Sequence, residues 1–125
     1  MTPFEDCCDL LREQALYSSR VRGCILGGAV GDALGNPVEF HSLAKIRSEH
    51  RDGLRTFRNP IGQITDDTQM TLFTMEGLIR AGVRTDRGIG FTLGVVDHAY
   101  QRWYDTQTLR QPSGERDGWL VGELW

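Results

Sequence analysis

The sequence is poor in the features that would place it outside ordinary globular enzymes. It has three cysteines, Cys7, Cys8 and Cys24, an odd number with no Cys-x-x-Cys pair and no paired histidine spacing. That excludes a disulfide framework and a zinc knuckle. The apolar run Gly23 to Val30 has eight residues, and a membrane span needs about 20. The opening residues, Met1 to Asp6, are acidic rather than basic, which does not fit a signal peptide. There is no basic excess: 14 Lys and Arg face 17 Asp and Glu, for a formal net charge of −3. A protein that grips nucleic acid backbones shows a basic patch or surplus, so nucleic acid is not the expected partner. No β-alternation of useful length, long repeat or low-complexity linker is present. These absences predict a reduced, soluble, cytoplasmic protein without nucleic-acid or membrane partners.

What remains is a chain of 125 residues, 39% hydrophobic and 25% charged, which is one domain's worth of globular protein. Glycine is over-represented, at 15 residues in 125, or 12% against about 7% in average usage.

Apolar spacing predicts helices joined by glycine- and proline-marked loops. A first helix is expected from near Phe4 to the Gly35 region, with a possible break at Tyr17–Ser19. Gly35-Asn36-Pro37 should stop it, because the residue before a proline is pushed out of the α region. Val38-Glu39-Phe40 reads as short and extended. Ser42 can cap a second helix through about His50, ended by Gly53. Thr65 reads as the N-cap of a third, with Asp66 and Asp67 in its first turn and Met70, Leu72, Phe73, Met75, Leu78 and Ile79 on more than one face. That pattern suits a central helix ended by Gly82. A fourth helix starting at Thr85 or Asp86 would stack Ile89, Leu93, Val96, Tyr100 and Trp103, and Pro112-Ser113-Gly114 would end that region.

Gly23, Gly27, Gly31 and Gly35 recur every four residues, on nearly one stripe of the first helix. Each interior glycine costs a helix about 1 kcal/mol relative to alanine. Close helix–helix packing is the ordinary compensation. The sharper alternative is that Gly31 to Gly35 brings backbone near a ligand where the helix unravels.

The chemical centre is Thr65-Asp66-Asp67-Thr68. Adjacent carboxylates at a helix start have an ordinary explanation, because each gains about 0.3–1 kcal/mol from the helix dipole. They are also, with a hydroxyl, the hard oxygen donors that suit magnesium or manganese rather than zinc. Glu39 offers a third carboxylate beside the glycine stripe.

Gly31-Asp32-Ala33-Leu34-Gly35-Asn36-Pro37-Val38-Glu39-Phe40, followed about 25 residues on by Thr65-Asp66-Asp67-Thr68-Gln69-Met70, resembles the ADP-ribosylglycohydrolase family. That family includes dinitrogenase reductase-activating glycohydrolases and ADP-ribosyl-arginine hydrolases. Ala99-Tyr100-Gln101-Arg102-Trp103-Tyr104 is similar to the helix that follows in many bacterial members.

The resemblance implies an all-α, orthogonal multi-helix fold around a binuclear Mg2+ or Mn2+ centre. It implies hydrolysis of the bond between the ribose anomeric carbon of ADP-ribose and an acceptor, on an ADP-ribosylated protein or a small ADP-ribose conjugate. By the same resemblance Thr65, Asp66 and Asp67 are metal ligands, and Glu39 and Asp67 belong to the catalytic machinery. Gly35, Asn36 and Glu39 lie at the substrate. Asp32 is expected either to support a metal ligand or to hydrogen-bond at the helix end, rather than to bind metal itself.

Two departures from the family pattern are visible. Ile64 stands where many members have an aromatic residue. The distant Asp-x-Asp-Thr segment that completes the family's metal site has no counterpart here. Residues 1–125 are therefore expected to be the amino-terminal part of a single such domain, cut after Trp125, and inactive alone. Trp119, Leu120, Leu124 and Trp125 should then be short of partners. The competing class is a non-catalytic ADP-ribose-binding or structural protein on the same scaffold.

Overall fold

The computed structural model describes residues 3–57, 62–91 and 93–110, with side chains from residue 12 onward. Four α-helices and one short 3-10 turn make up the secondary structure, with no strand among the described residues. This is the all-α class expected from periodicity. None of these helices is long and apolar enough to cross a membrane. The chain divides into two compact units, residues 1–65 and 66–125.

In the first unit, helix α1 runs Pro3–Gly35. Its 33 residues span about 50 Å at 1.5 Å per residue. It passes Tyr17–Ser19 without a break. Among the described residues, a Cβ built on Gly23, Gly27, Gly31 or Gly35 would meet nothing within 4 Å, so the packing expected of the glycine stripe is not seen there.

The chain leaves α1 through the 3-10 turn Asn36–Val38, not through the extended segment that Pro37 suggested. The fixed φ of proline is as well suited to the first turn of a helix as to a strand. Glu39 follows with φ −48 and ψ −41, and its N–H donates to Asn36 O. Ala33 and Val38 are the buried apolar residues of this corner. Helix α2, Leu43–Glu49, starts as anticipated, with Ser42 Oγ accepting from the Lys45 N–H.

The second unit is an α-hairpin of α3, Asp66–Asp86, and α4, Leu93–Thr108. Phe73, Glu76, Ala81 and Ala99 are fully buried, so the face of α3 toward α4 is partly polar. Leu78 and Ile79 are about half exposed, so among the described residues the apolar positions of α3 are not all covered, as those of a central helix would be. Gly77 permits the close crossing: a Cβ there would lie 3.0 Å from Val96 Cα.

Helix α3 also runs through Gly82, the expected stop, and continues one turn further. Gly88, at φ +73, supplies the left-handed residue there. Its N–H donates to Thr85 O, and the Ile89 N–H donates to Arg84 O. This is the paired pattern that satisfies the last carbonyls of a helix. Gly82 has no such role, so it remains helical, and Thr85 and Asp86 close α3 instead of opening α4. Ile89 and Leu93, expected on the packed stripe of α4, are 58% and 79% exposed. Pro112 to Gly114 and Trp119 to Trp125 lie outside the described residues.

Candidate functional site

Asp32 sits in the last turn of α1, three residues before its end at Gly35. One carboxylate oxygen, Oδ2, accepts the Thr65 backbone N–H at 2.8 Å. The other, Oδ1, accepts the Thr65 hydroxyl at 2.7 Å. Hydrogen bonds to an ionised acceptor contribute about 1.5–3 kcal/mol each, and two from one carboxylate to one residue fix orientation as well as position. Nearby, Asn36 Nδ2 donates to Gln63 O at 3.1 Å. The two motif segments, 33 residues apart at Asp32 and Thr65, are thus tied together at two points, with the Asn36–Gln63 bond beside them.

Thr65 is the residue before α3, where an N-cap belongs, and Asp66 and Asp67 occupy the first turn. Both carboxylates are exposed, whereas Thr68 is buried. Glu39 is exposed on the turn that follows α1, and its carboxylate makes no hydrogen bond to another described residue. Gly35 ends α1 in helical conformation. Asn36, expected at the substrate, uses one amide hydrogen to hold Gln63. A hollow of about 210 Å³ beside this turn is lined by Leu34, Pro37, His50 and Arg55. Gly35, Asn36 and Glu39 are not part of its lining.

Within the second unit, α4 holds the first turns of α3. Gln69, next to the Thr-Asp-Asp-Thr run, accepts through Oε1 from Trp103 Nε1 and from Gln107 Nε2, both at 3.0 Å. Thr74 Oγ1 and Tyr100 OH are 2.8 Å apart. Glu76 Oε2 accepts from Arg102 Nη2 at 3.0 Å. Apart from Gln107, these α4 partners lie in the Ala99–Tyr104 stretch that resembles a family helix. The structure supplies its physical role, which is to hold the helix that carries Asp66 and Asp67. Gln69, Glu76, Arg102 and Trp103 were not anticipated as a supporting set. Their pairing over 26 and 34 residues has no signature in local spacing.

The donor chemistry at Thr65, Asp66 and Asp67 suits a hard divalent cation, since all three side chains offer oxygen and Asp32 holds the threonine in place. The donor number is short. Among the described residues no three His, Cys, Asp or Glu side chains cluster closely enough to hold a metal ion.

The ADP-ribosylglycohydrolase family model matches residues 13–123. An ADP-ribosylarginine hydrolase Tri1 of Pseudomonas putida is 36% identical over 99 residues, covering 78% of this chain and 24% of the relative. An ADP-ribosyl-[dinitrogen reductase] glycohydrolase of Rhodospirillum rubrum is 44% identical over 68 residues, covering 50% of this chain and 23% of the relative. The chain thus spans about a quarter of the length of these two relatives. No solved structure matches it significantly.

Proposed function

Because the chain belongs to the ADP-ribosylglycohydrolase family, we propose that it carries the first part of a divalent-metal site for removing ADP-ribose from a modified acceptor. An ADP-ribosylated arginine, on a protein or a small conjugate, is the proposed acceptor, since one similar protein is named an ADP-ribosylarginine hydrolase. The observation that carries this reading is the two-point hold of Asp32 on Thr65, which joins the two motif segments at the residue that opens the ligand run.

On this reading Thr65, Asp66 and Asp67 hold Mg2+ or Mn2+, two ions in the complete site. When bound, such ions orient the ribose hydroxyls and supply a water of lowered pKa at the anomeric carbon. Asp66 and Asp67 bring the negative charge that the cations need. Asp32 accepts a hydrogen bond from the Thr65 hydroxyl, which would direct the hydroxyl hydrogen away from a bound metal. Glu39 exchanges a proton with the attacking water or the leaving group as an oxocarbenium-like state forms and decays. Gly35 and Asn36 keep backbone and one amide close to the sugar. Two six-coordinate ions need more donors than these residues offer, so the 125 residues alone are proposed to lack turnover. A cytoplasmic location is part of this proposal, since three cysteines without framework spacing fit a reducing compartment.

The test is a chimera in which the 99 matched residues replace their counterpart in the Pseudomonas putida relative. Release of ADP-ribose from an ADP-ribosylated arginine substrate is expected with Mg2+ or Mn2+, and its loss is expected with EDTA or with Asp67→Ala. A folded chimera that binds ADP-ribose without releasing it from arginine would favour the non-catalytic class. Turnover unchanged by Asp67→Ala would refute the site.

A further inference from the structure

The cation-rich groove on the α3–α4 hairpin has no place in the metal chemistry. A hollow of about 450 Å³ lies between the C-terminal half of α3 and the middle of α4, within the size range of small-molecule sites. Arg80, Arg84, His98 and Arg102 line it, and its lining includes no carboxylate. From beneath, Glu76 accepts from both Arg80 Nε, at 2.9 Å, and Arg102 Nη2, at 3.0 Å. Glu76 thus pairs with two of the three guanidinium groups in the lining, Arg80 and Arg102, and not with Arg84. On α4, Asp97 is exposed and accepts from Gln101. Asp105 lines a different hollow with Tyr100, Trp103 and Tyr104.

Arg84 identifies what is missing. Its Nε is buried and has no hydrogen-bond partner, an arrangement that buried donors rarely keep. An oxyanion accepting from Nε and an adjacent guanidinium nitrogen supplies that bond in the planar two-point geometry arginine favours. The rest of the wall is apolar: Ile79, Val83 and Val95 line the same hollow, and Ile79 and Val83 are 50% and 43% exposed. A single ligand bearing an oxyanion on an apolar body would cover these side chains and pair Arg84. Glu76 already orients Arg80 and Arg102, so little ordering is left for binding to accomplish.

We propose that this groove binds a small organic oxyanion, a carboxylate or phosphate carried on an apolar body. Arg84 is its anchoring residue. Thirteen residues separate Arg80 from Asp67, about 20 Å along α3, so the proposal does not rest on the metal site.

The experiment follows the Arg84 Nε–Hε resonance of the full 125-residue chain by 1H–15N NMR during titration with four probes. These are benzoate, phenyl phosphate, inorganic phosphate and benzyl alcohol. A saturable shift is expected with benzoate, phenyl phosphate or both, which also decides between carboxylate and phosphate. Inorganic phosphate and benzyl alcohol should each bind at least about tenfold more weakly, because each lacks half of the recognised chemistry. Arg84→Leu should weaken binding of the preferred probe about tenfold or more, read from the remaining groove resonances, and Arg84→Lys should fall between. Arg84 makes no hydrogen bond through Nε, so the helix content of Arg84→Leu, checked by circular dichroism, should match the wild type. The proposal is overturned by no saturation with either aromatic anion up to about 20 mM, a ceiling set by millimolar affinity. It is equally overturned by benzyl alcohol binding as tightly as benzoate, or by Arg84→Leu leaving affinity unchanged.

Discussion

Replacing Glu76 by leucine tests what holds α3 on α4. The Glu76 side chain is fully buried, with Oε1 2.9 Å from Arg80 Nε and Oε2 3.0 Å from Arg102 Nη2. Arg80 is 29% exposed and can turn to water, but the Arg102 side chain is only 8% exposed. Removing the carboxylate therefore strands one buried cation, which costs about 3–5 kcal/mol. Removing Arg102 instead, as Arg102→Met, leaves Glu76 paired with Arg80, so the loss is the smaller cost of a charge-assisted hydrogen bond, about 1.5–3 kcal/mol. The double variant Glu76→Leu/Arg102→Met strands nothing and should lie within about 1 kcal/mol of wild type, because apolar replacements of buried ion pairs are often close to neutral. Urea unfolding followed by circular dichroism at 222 nm reads all three. With a slope of about 1.5 kcal/mol per molar urea, Glu76→Leu should lower the midpoint by about 2–3 M. A cost below about 1 kcal/mol for Glu76→Leu, or a double variant as unstable as the two singles summed, would refute the assignment of Glu76 as the shared partner of two cations.

Asp32→Ala removes both acceptors of Thr65. It should weaken Mn2+ binding by about 10–100-fold, the usual effect of losing a residue that orients a ligand, as measured by calorimetry. Asp32→Asn keeps one acceptor and should fall between. Gly77→Ala drives a methyl to 3.0 Å from Val96 Cα and should cost about 1–3 kcal/mol in thermal unfolding. Gly27→Ala, where a Cβ meets nothing within 4 Å, should instead stabilise by about 0.5–1 kcal/mol. If the two glycine variants moved stability in the same direction, the close α3–α4 crossing at Gly77 would be wrong.

Helix existence was legible because it depends on local pattern. Ser42 caps α2 and Asp66 opens α3 as their spacing indicates, since capping is decided within one turn of sequence. Helix ends were less legible. Gly82 and Gly88 look alike in sequence, and only the backbone hydrogen bonds at Thr85 and Arg84 show which one takes the left-handed conformation. Pro37 likewise suits a 3-10 turn and a strand equally. The polar half of the hairpin interface was not legible. Nothing in the local sequence marks Glu76 and Arg102 for burial, and only tertiary packing over 26 residues makes them a buried pair. At the site, residue identities came from the motifs, and Asp32 was placed correctly as a hydrogen bonder. Its partner Thr65 became visible only in three dimensions.

The central claim is that the turn opening α3 binds a divalent metal, and paramagnetic Mn2+ tests it most directly. Substoichiometric Mn2+ added to the 15N-labelled chain should broaden the amides of Thr65, Asp66 and Asp67 before any others. Binding should be weak, because few protein oxygens replace the metal's water. The broadening should vanish in Asp66→Asn/Asp67→Asn. Selective broadening centred elsewhere in the chain, or broadening at residues 65–67 that survives the double substitution, would contradict the account.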